Sequence, residues 1–177
     1  MQESVINLKK EKIMSDVLCG KIWFGAFEDG NEVLCVGNFD MPVKKMPVTT
    51  NDWVWACEKI YRGTQNMFDS WSLTEEQLNE FFGDTEKQDG ADWIAPKNMK
   101  GNRARDGKPI GHRSMSVGDV VQFGRDSQEK TYWAVAGFGF VELTYSEYSE
   151  WHDMDSRDRS DFIGDIARAK RKEEVAC

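Results

Sequence analysis

Lys21-Ile-Trp-Phe-Gly-Ala-Phe27 and Glu32-Val-Leu-Cys-Val-Gly-Asn-Phe39 are two runs of apolar, β-favouring residues, parted by Glu28-Asp-Gly-Asn31. An Asp-Gly pair tolerates the positive φ angles of a tight turn, so the stretch predicts a β-hairpin. The pattern returns downstream. Ser116 to Phe123 and Lys130 to Leu143 regain β character around Gly124-Arg-Asp-Ser127, which reads as a second turn. Within the later run, Gly137 and Gly139 flank Phe138 and predict a bend or bulge. Pro42 and Pro47 interrupt the chain after the first hairpin, because neither can donate to a strand ladder.

Helices fill the remaining spaces. Thr50 and Asn51 can cap a helix from Asp52 to Arg62, with Trp53, Cys57, Ile60 and Tyr61 on one face and Gly63 as a left-handed stop. Trp53 and Trp55 fall on nearly opposite sides of that helix, so at most one indole points squarely inward. Thr74-Glu-Glu-Gln77 has the form of a capping box, followed by Leu78, Phe81 and Phe82 and ended by Gly83. Ser156 to Glu174 carries Phe162, Ile163, Ile166 and Ala169 at helical spacing, and Arg168, Lys170, Arg171 and Lys172 complement the dipole at its end. Ser146 to Met154 shows no deciding pattern. The expected fold is α+β: an antiparallel sheet built from two β-hairpins and packed by three helices.

The chain has 177 residues, the size of one ordinary domain, and its seven tryptophans, ten phenylalanines and four tyrosines can fill a core. Residues 1–15 are polar and lysine-rich and predict a flexible arm ahead of a single domain over 16–177. Between Asp84 and His112 only Trp93, Ile94, Met99 and Ile110 are large and apolar, which predicts a long, mobile, basic loop on that domain. No stretch approaches the roughly 20 apolar residues of a bilayer span. Cys19, Cys35, Cys57 and Cys177 lie far apart with no C-x-x-C pair, and a reducing cytoplasm is the expected location. Only His112 and His152 are present, so neither a metal nor another cofactor is expected.

Catalysis finds little footing, because nucleophile-elbow, phosphate-loop, zinc-protease and dinucleotide motifs are all missing. His112 near Ser114 and Ser116 could be imagined as a base beside a nucleophile, but reads as a loop histidine. Cys57 lies on the apolar helix face and reads as a buried structural thiol. The expectation is a binding protein, not an enzyme.

Charge offers two binding readings. The formal net charge is −8, and Glu75, Glu76, Glu80, Asp84, Glu86, Asp89 and Asp92 form one acidic run. Glu142, Glu147, Glu150, Asp153, Asp155, Asp158, Asp161 and Asp165 form another. Spaced carboxylates can imitate a phosphate array and enter the nucleic-acid groove of another protein, or they can be ordinary solvated faces. Trp71 and Trp93 lie in connecting segments and would anchor such an interface if exposed. Glu75, Glu76, Glu80, Trp71 and Trp93 are therefore the candidate protein-binding residues. Alternatively, Lys97, Lys100, Arg103, Arg105, Lys108 and Arg113 could follow a phosphate backbone.

Arg113-Ser-Met-Ser-Val-Gly-Asp-Val-Val121 and Tyr132-Trp-Ala-Val-Ala-Gly-Phe-Gly-Phe140 carry a resemblance to a known group. They are similar to the R-S-x-S-V-G-D-V strand and the following G-F strand of small phage and plasmid proteins, including the YodL-like domain of some antirestriction-type proteins. Gly63-Thr-Gln-Asn66 with Ser70-Trp71 resembles the T-Q-N…W stretch of phage accessory proteins. The resemblance implies a mobile-element accessory protein acting inside a bacterial cell, with no active site to transfer. The chain departs from that pattern over 84–112 and in its terminal helix. Combined with the charge, it leads to the expectation of a protein that binds a host protein, such as a defence or nucleic-acid enzyme, through acidic surfaces. A nucleic-acid-binding regulator and a virion structural or assembly component are the alternatives.

Overall fold

The computed structural model describes residues 16–25, 32–66, 70–74, 76, 92–97, 111–124 and 129–176. Six antiparallel strands form one sheet: β1 (Asp16–Phe24), β2 (Leu34–Val43), β3 (Ile94–Pro96), β4 (Val120–Phe123), β5 (Thr131–Ala136) and β6 (Gly139–Leu143). Their order across the sheet is β3-β2-β1-β4-β5-β6. The described helices are α1 (Thr50–Gly63), α2 (Tyr145–Asp153) and α3 (Ser156–Ala176). The fold is α+β, as expected. The expected arm at 1–15, the helix expected after Thr74 beyond Glu76, and 84–91 and 98–110 of the expected loop lie outside the described residues.

Both expected hairpins are present, and β1 joins them. It pairs with β2 from Asp16↔Val43 to Phe24↔Leu34 and, on its other side, with β4 from Gly20↔Phe123 to Trp23↔Val120. The bend expected at Gly137 and Gly139 is a complete reversal: Ala136 faces Gly139 across a two-residue loop, and Gly139 adopts a φ of 86°. Pro42 was expected to stop the first hairpin, yet it lies within β2, opposite Val17. The geometry explains why. The Asp40 amide donates to the Trp93 carbonyl on the β3 side, at 2.9 Å, and two residues on Pro42 faces the same side beyond the end of β3. No ladder bond is lost there.

Alternation along the strands makes two cores. On one face Leu18, Ile22, Phe24, Phe39, Val121, Phe123 and Trp133 pack under α1 residues Ala56, Cys57 and Ile60. On the other, Val120, Tyr132, Ala134, Val141 and Leu143 pack against Trp151 of α2 and Ile163 of α3. Helix α1 begins with a capping box at Thr49, one residue before the expected caps. Thr49 Oγ1 accepts from the Asp52 amide, and Asp52 Oδ2 accepts from the Thr49 and Val48 amides at 2.9 and 3.2 Å. These donors hold the Asp52 carboxyl below the usual carboxylate range.

Gly63 is helical and makes no left-handed stop, since the described glycines with positive φ are Gly118, Gly124 and Gly139. Its lack of a side chain serves close packing instead. A Cβ there would come within 3.0 Å of Ile94 Cδ1 and 3.4 Å of Trp93 Cζ2. That contact seats β3, which corrects part of the long-loop expectation: Ile94 is buried and Ile94–Pro96 pair with Gly37–Phe39. The buried Ile94, the half-buried Trp93 and a short ladder are enough to order this piece despite its polar surroundings.

Helix α2 occupies the stretch without a deciding pattern. Thr144 and Glu147 form its capping box, with Glu147 Oε2 accepting from the Thr144 amide at 2.6 Å. The α2–α3 corner is closed by Arg159, which is 3% exposed. Its guanidinium donates to the carbonyls of Trp151 and Met154 at 3.0 and 2.6 Å, and to that of Gly25 at the end of β1. A helix C-terminus leaves its last carbonyls without intrahelical partners, and a guanidinium with five donors satisfies several at once.

Candidate functional site

Helix α1 carries Trp53 and Trp55 roughly 200° apart around its axis, and the structure sends them to opposite duties. Trp53 packs inward, its ring 4.9 Å from that of Phe123. Trp55 stays 46% exposed. It forms one wall of a cleft of about 640 Å³ between α1, the end of β2 and the β2–α1 connection. Met41, Met46, Pro47 and Trp93 supply further apolar lining. Trp93 is held there because its ring meets Phe39 edge-on at 6.4 Å and leans on Gly63.

The rim of this cleft is basic on a chain that is acidic as a whole. Among the described residues Lys44, Lys45 and Lys59 line it against one carboxylate, Asp52. That carboxylate is already engaged by the amides of the capping box. Lys59 sits one turn after Trp55, with its ammonium 5.7 Å from the centre of the indole ring. The volume falls in the range of ligand-sized clefts, and its makeup of aromatic and thioether walls with a few cations suits an apolar group flanked by negative charge.

The other candidate residues are dispersed. Trp71 is 2% exposed, so its indole is a core group in this conformation and not a surface anchor. Glu76 is exposed, and Glu75 and Glu80 lie outside the described residues. Of the basic set, Lys97 is exposed, Lys100, Arg103, Arg105 and Lys108 lie outside the described residues, and Arg113 is engaged internally. Its guanidinium binds Asp119 with both arms, at 2.6 and 2.7 Å, and stacks 4.0 Å above the ring of Phe24.

That pair belongs to a joint linking two of the three stretches on which the resemblance rests. Asp119, 1% exposed, also accepts from the amides of Ser116 and Gly25 at 2.8 and 3.0 Å. Burial pushes its carboxyl up, against the pull of Arg113 and these two amides. Nearby, Asn66 donates to the His112 carbonyl and accepts from the Trp71 amide, while Trp71 Nε1 donates to the Arg113 carbonyl, at 2.9, 3.0 and 2.9 Å. Gln65 bridges the carbonyls of Tyr61 and Met115. The T-Q-N…W stretch and the R-S-x-S-V-G-D-V stretch are thus hydrogen-bonded to each other, and each polar side chain named here satisfies backbone that would otherwise be buried unpaired.

His112 and Cys57, the residues considered for reactivity, are both core groups. His112 is buried, stacked on Trp71, with Nε2 2.7 Å from the Lys97 carbonyl, while the Ser114 and Ser116 hydroxyls accept from Asn66 and Arg113. Burial pushes the Cys57 thiol well above its usual range. Among the described residues no group of three or more His, Cys, Asp or Glu side chains is placed to hold a metal ion. Nor is any helix among them long and apolar enough to cross a membrane.

Sequence reading named Trp93 but missed Trp55, Met46 and the three lysines of the cleft. The available signal was Trp55 itself, an indole on the side of α1 turned away from the core. Compared with protein-family models, curated proteins and solved structures, the chain matches none.

Proposed function

We propose that this chain is a binding protein of the mobile-element accessory type, and that it engages a host protein through the Trp55–Trp93 cleft. The observation that supports this reading most is the partly exposed Trp55 beside Met46 and under Lys59, because interface anchors are enriched in aromatic groups seated in apolar recesses. The accessory role comes from the resemblance of 113–121, 132–140 and 63–71. The test replaces Lys59 with a photo-crosslinking amino acid and exposes the folded protein to a bacterial lysate, with an equivalent probe at Phe138 as the comparison. Partners captured at position 59, lost on Trp55→Ala and not captured at 138, support the proposal. Equal capture at both positions overturns it.

A second reading has its own observation. Glu150, Asp153, Asp155, Asp158 and Asp161 are all exposed along α2 and the start of α3. Such a stripe suits a basic groove of the kind that binds nucleic acid, with Arg157 as its one interruption. Replacing Asp153, Asp158 and Asp161 by Asn removes partner capture under this reading and leaves it intact under the cleft reading.

A further inference from the structure

Resting on the cleft as the contact surface, we infer the chemistry of its occupant: a short acidic peptide segment with one bulky apolar side chain, inserted between Trp55 and Trp93. Three features carry this. The walls are apolar and aromatic, with Met41 and Met46 supplying adaptable thioether surface that moulds to an inserted side chain. The rim presents Lys44, Lys45 and Lys59, three cations against the one described carboxylate, Asp52, which stays charged and bound to two amide donors, so the described rim is positive on balance. A second described face opposes the same ligand, since α2 and the start of α3 expose a run of carboxylates that repel an acidic segment. Attraction at one place and repulsion elsewhere fix where such a segment settles, which is how charge yields specificity.

Other occupants fit less well. A basic peptide would place cations against three lysines. A nucleic-acid strand would find cations and indoles here, but three lysines meet few of the phosphates on which a long strand depends for affinity. A second copy of the chain could offer its α2–α3 carboxylates to the lysines, yet those helices are short of exposed bulky apolar side chains at that stripe to fill the cleft.

The inference is tested by fluorescence anisotropy with three labelled peptides on the full chain. One has glutamates and aspartates around a central phenylalanine, one has alanine at the centre, and one has lysines in place of the acids. The first binds, and the other two bind at least about tenfold more weakly, as expected when an anchor or its flanking charge is removed. Trp55→Ala weakens the first peptide by about tenfold or more. Lys44→Glu with Lys45→Glu weakens it and flattens its salt dependence. All these positions are exposed, so circular dichroism should show every variant folded.

Preference for the lysine peptide, or loss on lysine reversal with none on Trp55→Ala, overturns the inferred chemistry. Self-association of the wild type in sedimentation, abolished by Trp55→Ala, assigns the cleft to a second copy and also overturns it. The two proposals fail separately. Crosslinking at position 59 to a host protein, with no binding of the acidic peptide, leaves the cleft as the contact surface and refutes only the acidic segment.

Discussion

Removing Arg113 should destabilise the protein strongly and in a pH-dependent way. Asp119 is 1% exposed and accepts four hydrogen bonds, two of them from the Arg113 guanidinium. In Arg113→Ala the carboxylate keeps only the Ser116 and Gly25 amides, and the Phe24 ring loses the cation stacked on it. Breaking a buried pair from one side costs about 3–5 kcal/mol; the 30% exposure of the arginine side chain lets water reach the gap and places the loss near the lower figure, about 3 kcal/mol. The sign with pH follows. Burial already raises the folded carboxyl above its unfolded value, and losing the cation raises it further. A raised folded value means the folded state takes up a proton more readily, so the penalty is full at neutral pH and shrinks as pH falls through the folded value. Urea denaturation followed by tryptophan fluorescence at neutral and mildly acidic pH measures both effects. The double variant Arg113→Met with Asp119→Leu should recover only part of the loss, because it leaves no buried charge but deprives the Ser116 and Gly25 amides of their acceptor. A loss below about 1 kcal/mol, the scale of a solvent-screened surface pair, or one that is constant with pH, refutes the reasoning.

Trp71→Phe keeps most of the ring but deletes the donor to the Arg113 carbonyl; it should cost about 1–2 kcal/mol and raise amide exchange at Asn66 and His112 in hydrogen-exchange measurements. Gly63→Val forces a branched side chain against Ile94 and Trp93, so thermal denaturation should show a loss of roughly 1–3 kcal/mol, together with weaker peptide binding as Trp93 shifts. Burial alone would raise the Glu147 carboxyl, but the Thr144 amide and hydroxyl and the Lys170 ammonium outweigh it and hold it low, and Asp52 is held low by its own cap. Both contribute stability that is present above the unfolded carboxylate value and is lost as pH falls through the lower folded value; Glu147→Gln and Asp52→Asn should each flatten the acid limb of a stability-against-pH profile, and an unchanged limb would show the caps to be immaterial.

The two expected hairpins were legible because their information is local: β-favouring runs parted by an Asp-Gly pair or by Gly124-Arg-Asp-Ser127 need no distant partner, whereas the reversal at Gly137–Gly139 read only as a bend. Helix α2 was equally local, with Thr144 and Glu147 at capping-box spacing, but its weakly amphipathic run hid it. Strand β3 was not legible, since nothing in Ile94-Ala-Pro96 announces a strand until Gly63 and β2 supply a seat for it. The cleft stands between. Trp55 could be seen to face away from the core, whereas the approach of Met46, Lys44 and Trp93 depends on where β2 ends and how α1 crosses it. Trp71 shows the reverse case: a connecting-segment indole that polar reading sends outward is drawn into the core by Phe24, His112 and the Arg113 carbonyl.

The central place of β1 has a consequence for how this protein is made. On the ribosome the β1–β2 ribbon emerges early, while its other lateral partner, Val120–Phe123, is synthesised about a hundred residues later. Until then one side of β1 offers unpaired amides and carbonyls that any extended chain can dock against. Slowing translation between the two should therefore lower the soluble yield, and supplying a chaperone that shields nascent strands should restore it.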